Sequence, residues 1–182
     1  EGSFRSDRSS VLPIANNRYN YSSISGSVII SQLLDLSWLS FAKLRANYAT
    51  VGNDVDPYRV FNTYAINPGF KGQASASNRR TFNNENLRAE TTQETEFGIE
   101  TQFLNGRVGA NLSVYKRITD DLITPVDISG ASGATANYVN GGSVENKGVE
   151  LVLNVSPIET KDFGWDIKFN YAKNKNTVLS LA

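Results

Sequence analysis

The sequence predicts an all-β protein, an antiparallel up-and-down meander that forms one section of a larger transmembrane β-barrel. Three observations predict it. Apolar and polar residues alternate with period two in segment after segment, the pattern of a strand with two unlike faces. The alternating segments run about 9 to 13 residues, near the roughly 9 to 11 that cross a bilayer and longer than the usual soluble strand of about 5 to 6. Short and long connections take turns along the chain, as they do in outer-membrane barrels, where short turns lie on the periplasmic side and long loops outside. Alternation alone would equally suit a β-sandwich with one buried face.

Taken in order, a stub at 3–9 ends a first strand and 21–31 forms a second, less cleanly patterned one. In 42–50 Leu44, Ala46 and Tyr48 share a face opposite Lys43, Arg45 and Asn47. In 93–103 Phe97, Ile99 and Phe103 oppose Glu94, Glu96, Gly98, Glu100 and Gln102. Val108, Ala110, Leu112 and Val114 then alternate with Gly109, Asn111, Ser113 and Tyr115, and Val149, Leu151, Leu153 and Val155 with Gly148, Glu150, Val152 and Asn154. Trp165, Ile167, Phe169 and Tyr171 close the series against Asp166, Lys168, Asn170 and Ala172. Residues 1–182 thus read as about six strands, with short turns near 33–39, 104–107 and 156–164 and long loops near 8–19, 52–88 and 118–142. Six strands are too few to close a membrane barrel, which takes about eight or more.

One hairpin can be set in register from sequence. Asn105-Gly106 is the dipeptide that two-residue type I′ turns favour, because both positions need positive φ. With those two residues as the loop, paired positions place Phe103 opposite Val108, Ile99 opposite Leu112 and Phe97 opposite Val114. On the other face Glu94 meets Arg117, Glu96 meets Tyr115 and Glu100 meets Asn111. Both faces match in kind. Aromatic residues gather at strand ends, Trp38, Phe103 and Trp165 by the short turns and Tyr48, Tyr115 and Tyr171 toward the long loops, which predicts two interfacial girdles.

Composition narrows the chemistry. The 182 residues contain no His, Cys or Met. A usual zinc site, a thiol nucleophile, a disulfide framework and an imidazole acid or base are therefore excluded, and no cofactor is expected. The missing Met predicts a sequence that begins downstream of its own start codon, and the first residues carry no signal-peptide h-region. With 18 basic and 18 acidic side chains, no broad basic field is present for nucleic acid or an anionic membrane surface. No run of about 18 apolar residues occurs, which excludes a transmembrane helix but leaves a transmembrane barrel open. Asn, Ser and Thr number 20, 19 and 12 and together outnumber the charged residues, a bias toward strands and turns.

Four segments, AKLRANYATVGND at 42–54, NENLRAETTQETEFGIE at 84–100, NGGSVENKGVELVLN at 140–154 and WDIKFNYAKNKNTV at 165–178, resemble consecutive strand motifs of the SusC/RagA family of TonB-linked outer-membrane transporters. The resemblance runs in family order over nearly the whole chain. It implies a slice of a 22-stranded barrel in the outer membrane, in contact with its lipid. The complete protein would carry a plug, a TonB-contacting segment and a cap formed by a SusD-like surface lipoprotein, none of them within this sequence. Ala49 departs from the Gly that the family often has at that point, a mild change that should leave the strand direction unaltered. The implied function is uptake of a large nutrient, an oligosaccharide/glycan first and a peptide second, without bond making or breaking. The alternative is a soluble β-rich carbohydrate-binding or adhesion module.

Candidate site residues follow. Glu94, Glu96 and Glu100 share a strand face with neighbours about 7 Å apart, within the range that glycosidase carboxylate pairs need. The competing reading, a polar wall in which they pair with Arg117 and other basic residues, is favoured because nothing else marks a reaction centre. Asn53, Asp54 and Asp56 could offer oxygens to calcium, but the loop lacks the Gly and Glu that the calcium pattern requires, and Asp56-Pro57 reads as a turn. Gly130-Ala131-Ser132-Gly133 lacks the strand-to-helix setting of a phosphate loop. Candidate ligand contacts are the loop residues Tyr58, Phe61, Tyr64, Asn137 and Tyr138 and the lumen-facing Arg45, Glu100 and Glu150, since aromatic faces with amide and charged partners suit sugars and peptides; the loop residues equally suit loop packing or contact with a lid protein, and the lumen-facing ones a plain wall. An open sheet would also leave Phe97, Ile99, Leu112, Leu151, Ile167 and Phe169 bare unless a complete barrel or a partner covers them.

Overall fold

The computed structural model describes residues 1–33 and 36–181. Its strands in chain order are β1 (Gly2–Arg8), β2 (Arg18–Ile29), β3 (Leu39–Asn53), β4 (Tyr64–Phe70), β5 (Gln73–Asn78), β6 (Thr81–Phe82), β7 (Glu90–Phe103), β8 (Val108–Asp120), β9 (Ile123–Asp127), β10 (Ala136–Asn140), β11 (Ser143–Glu159) and β12 (Gly164–Ser180). Seven of them form one sheet in the order β1-β2-β3-β7-β8-β11-β12. Every neighbouring pair in it is antiparallel. The stub at 3–9 is a full edge strand, so the sheet has one strand more than the alternation predicts.

The hairpin register is the one the turn chemistry requires. Phe103 pairs with Val108, Ile99 with Leu112, Phe97 with Val114, Glu94 with Arg117, Glu96 with Tyr115 and Glu100 with Asn111. Asn105 and Gly106 stand at φ 58 and 87, as a type I′ turn needs, and Leu104 before them is also left-handed at φ 54. Ala49 leaves its strand undisturbed, because β3 continues past it to Asn53. Of the expected turn at 33–39, residues 34 and 35 lie outside the described residues.

Period-two geometry gives the sheet one apolar and one polar face. Rows across the strands run Leu44, Ile99, Leu112, Leu151 and Tyr171, then Ala42, Thr101, Ala110, Leu153 and Phe169. This face is open: Phe97, Leu112, Ile167 and Phe169 are all exposed, with Phe97 at 56%. Large apolar patches on a monomer mark a surface meant to be covered, so the sheet is a cut-out of a larger assembly. At the short-turn end Trp38 stacks on Phe103 with ring centroids 5.8 Å apart. Tyr48 and Tyr171 lie on the same apolar face toward the long loops. Tyr115 does not join them: it sits on the polar face, paired with Glu96 and Gly148, because its strand position is one residue out of phase with the apolar set.

The long connections are folded. Residues between β3 and β7 contain the β4-β5 hairpin and β6, and those between β8 and β11 contain β9 and β10. β6, β10 and β9 form a small sheet that ties the two loops together, with β10 parallel to β6 and antiparallel to β9. Under it sits the main buried cluster, Leu12, Val60, Leu87 and Ala89, with Tyr19, Val55, Ile123 and Tyr138 packed against it. Leu87 is completely buried. The core of this chain therefore lies where the three long loops meet, while the sheet keeps its apolar face outward.

Among the described residues no helix is long and apolar enough to cross a membrane. Strands of 13 to 17 residues in β3, β7, β8, β11 and β12 exceed the span of a bilayer core.

Candidate functional site

On the polar face the side chains are paired. Arg45 on β3 reaches across β7 to β8, where its Nη1 donates to Asn111 Oδ1 at 3.2 Å and its Nη2 to Ser113 Oγ at 2.5 Å. On the way its Nε donates to Glu96 Oε1 at 3.4 Å. The residue between, directly opposite Arg45, is Gly98, and only a missing side chain there lets the guanidinium lie flat over the intervening strand. Arg117 donates from Nε to Glu94 Oε2 at 2.6 Å. Of the three candidate carboxylates Glu94, Glu96 and Glu100 on β7, the first two are thus held in ion pairs, and Glu100 stands between Lys43 and Asn111 in the next row.

Glu94, Glu96, Ser113, Tyr115, Arg117, Asn146 and Glu150 surround a polar depression of about 240 Å³. Asn146 Oδ1 is buried there without a hydrogen-bond partner. A buried acceptor left without a donor costs on the order of 1–3 kcal/mol. Of the wall candidates, Arg45 and Glu150 share one row through Gly98 and Ser113, and Glu100 lies in the next.

The loop candidates separate into two groups. Tyr58, Phe61 and Tyr64 are exposed at 84%, 64% and 72%. The backbone of the first two is nevertheless fixed, since Asn83 Nδ2 donates to the carbonyls of both Tyr58 and Phe61 and Asn83 N–H donates to Asn62 Oδ1 at 2.7 Å, and Tyr64 is held opposite Asn78 in the β4-β5 hairpin. Tyr58 is itself left-handed at φ 67, which turns the chain so that its ring projects. Tyr138, by contrast, is half-buried against the loop core, with the Arg59 guanidinium 4.6 Å from its ring centroid. Asn137 lies inside the small sheet, paired with Phe82 and Val126. These two residues build the platform, and the first three stand on it.

Asparagine performs much of that building. Asn84 Nδ2 donates to the Tyr138 carbonyl, Asn140 Nδ2 to the carbonyls of Arg88 and Asp121, and Asn16 Nδ2 to those of Asn86 and Leu87. Asn140 Oδ1 in turn accepts from the Arg88 N–H at 2.8 Å. Loop backbone groups that cannot enter a ladder must find partners elsewhere, and amides that both donate and accept supply them. The high Asn count signals loops in general, but nothing in the one-dimensional pattern identifies which amides join which loops.

Of the calcium candidates, Asn53 and Asp56 have structural partners. Asn53 Nδ2 donates to Glu90 Oε2 at 3.0 Å, and Asp56 pairs with Arg59 at 3.5 Å. Among the described residues no group of three or more acidic side chains is placed to hold a metal ion. Gly130–Ser132 is a single 3-10 turn ended by Gly133 at φ 93.

A meander of long strands with an open apolar face, an ion-paired polar face, aromatic residues flanking the apolar band and folded loops at one end defines a section of a membrane β-barrel wall. The chain belongs to the TonB-dependent receptor family: the model described as TonB dependent receptor-like, beta-barrel, matches residues 2–180. Within that family it is of the SusC/RagA type. It is 37% identical to the TonB-dependent receptor SusC of Bacteroides thetaiotaomicron over 158 residues, covering 82% of this chain and 16% of that protein. A TonB-dependent receptor of Formosa agariphila is 34% identical over 97% of this chain and 18% of its own length. The structure of the RagAB peptide transporter superposes with a TM-score of 0.90 at 27% identity, over 99% of this chain and 20% of that one. The chain spans no more than about a fifth of the proteins it matches. Members of this family are outer-membrane transporters, and the fold of this section is theirs.

Proposed function

We propose that the protein to which this section belongs imports a large nutrient across the outer membrane, an oligosaccharide in the first instance. A SusD-like lipoprotein would cap the long loops, and TonB would drive uptake through segments outside this chain. The observation that carries the reading is the exposed set of Tyr58 and Phe61, on a backbone pinned by Asn83, and Tyr64, held in the β4-β5 hairpin. Rigid aromatic faces bind with little ordering cost and need only a few polar groups beside them to set orientation. The wall offers Arg45, Glu100 and Glu150, donors and acceptors that suit hydroxyl-rich or amide-rich cargo.

The second reading, a peptide cargo, is favoured by the similarity to RagAB, described as a peptide transporter. Carboxylates and guanidinium groups on the wall would serve peptide termini equally well. Growth on defined oligosaccharides or defined peptides as the sole carbon source, with the complete transporter deleted and restored, separates the two. Restoration on oligosaccharides that is lost in a Tyr58→Ala, Phe61→Ala double variant with normal surface abundance supports the first. Restoration on peptides alone supports the second.

A further inference from the structure

The balanced net charge conceals a local cluster. On the apolar face, toward the strand ends that carry the long loops, Lys116 on β8, Lys147 on β11 and Lys175 on β12 stand directly opposite one another in a single row. Lys173 lies one row lower, opposite Val149. Like charges directly opposed across strands destabilise a sheet. Among the described residues one carboxylate pairs with them: Glu145, which accepts from Lys116 at 3.0 Å and from Lys147 at 2.8 Å. Among the described residues Lys173 and Lys175 form no salt bridge. Four ammonium groups and one carboxylate leave a local excess of positive charge on a face that is otherwise apolar.

The four lysines line a groove of about 540 Å³ together with Phe97, Val114 and Val149. The row that holds Lys116, Lys147 and Lys175 continues through Thr95 to Tyr48, and the row below runs from Lys173 through Val149 and Val114 to Phe97. The boundary between charge and hydrocarbon therefore passes through the groove itself. An occupant must be anionic at one end and apolar at the other. Lysine stems can lie along apolar surface while their ammonium groups reach the polar boundary.

We propose that this groove binds the phosphate of a lipid headgroup in the outer leaflet, with the acyl chains laid against Phe97, Val114 and Val149. The proposal rests on reading the chain as barrel wall with its long loops outside. Free phosphate would satisfy the lysines alone and leave the apolar half of the groove unused.

The test uses the complete transporter, reconstituted in phosphatidylcholine nanodiscs and titrated with lipopolysaccharide, with its enzymatically dephosphorylated form and with inorganic phosphate. The expected result is saturable binding of the phosphorylated lipid, weakened about tenfold or more in a Lys147→Gln, Lys173→Gln, Lys175→Gln variant and retained in the corresponding Lys→Arg variant, as phosphate attraction near a membrane surface requires. Equal affinity of wild type and Gln variant, equal affinity for the dephosphorylated lipid, or equal binding of inorganic phosphate would each overturn the proposal. A protein that fails to enter nanodiscs and stays monodisperse in plain buffer would overturn the barrel-wall reading instead.

Discussion

Arg45 lies flat across Gly98: a Cβ built on that glycine would stand 2.5 Å from Arg45 Nε and 2.9 Å from its Cγ. The arginine spans three strands only because the middle one has no side chain in its path. Gly98→Ala should displace the guanidinium from Asn111 and Ser113 and cost about 1–3 kcal/mol, the scale of an overpacked contact or a lost charged hydrogen bond. In an Arg45→Ala background the same substitution should cost little. Equal penalties in both backgrounds, measured by thermal unfolding of the complete barrel in a double-mutant cycle, would show that Gly98 is needed for some other reason.

Gly148 makes a harder case. A Cβ there would meet Tyr115 Oη at 2.6 Å and the backbone carbonyl of Lys173 at 2.7 Å. The side chain can swing aside, but the carbonyl belongs to the ladder between β11 and β12. Gly148→Ala should therefore destabilise more than Gly98→Ala, and pairing it with Tyr115→Ala should recover only part of the loss. Full recovery would mean that the ladder yields easily at this point.

Much of the sheet was legible because one local signal fixed a long-range register. Asn105-Gly106 set the β7-β8 pairing over the length of both strands, and alternation then assigned the faces. The turn itself is a sensitive point, since Gly106 stands at φ 87, where a Cβ is strained. Gly106→Val should cost about 1–2 kcal/mol and slow refolding into detergent micelles, whereas Gly164→Val, with ordinary φ and open space around it, should do neither. What the sequence hid was the loop architecture. β6 and β10 are too short for period-two patterning to register, and they pair across more than fifty residues. For Tyr138 the sequence leaves ligand contact and loop packing equally open, because the cluster it packs against and Arg59 lie far from it along the chain. The lysine row escaped notice because its members come from three strands and net charge averages them away.

The loop core yields a prediction that separates platform from ligand surface. Leu87→Ala removes a fully buried side chain and should cost about 2–5 kcal/mol locally. Tyr138→Ala should loosen the same region, while Tyr58→Ala should not. Amide hydrogen exchange over residues 81–89 and 121–142 in the complete transporter reads this directly. Faster exchange in the Tyr58 variant would place that ring in the packing rather than on the surface.

Glu94 and Glu96 test whether the wall does chemistry. Their partners Arg117 and Arg45 are fixed at 2.6 Å and 3.4 Å, and the side chains of Glu94 and Arg117 retain 30% and 50% of their exposure. Partly exposed pairs of this kind contribute about 0–1 kcal/mol. A hydrolase would need one of these carboxyls to hand a proton to the leaving group and the other free to attack or to activate water, whereas each is engaged by an arginine of the wall. Glu94→Gln and Glu96→Gln should therefore leave barrel stability within about 1 kcal/mol of wild type. Uptake should shift by a change in cargo affinity, and the cargo should be recovered intact in both variants as in wild type. Cleaved product that accumulates with the purified wild-type transporter and disappears with either variant would assign a reaction to this wall.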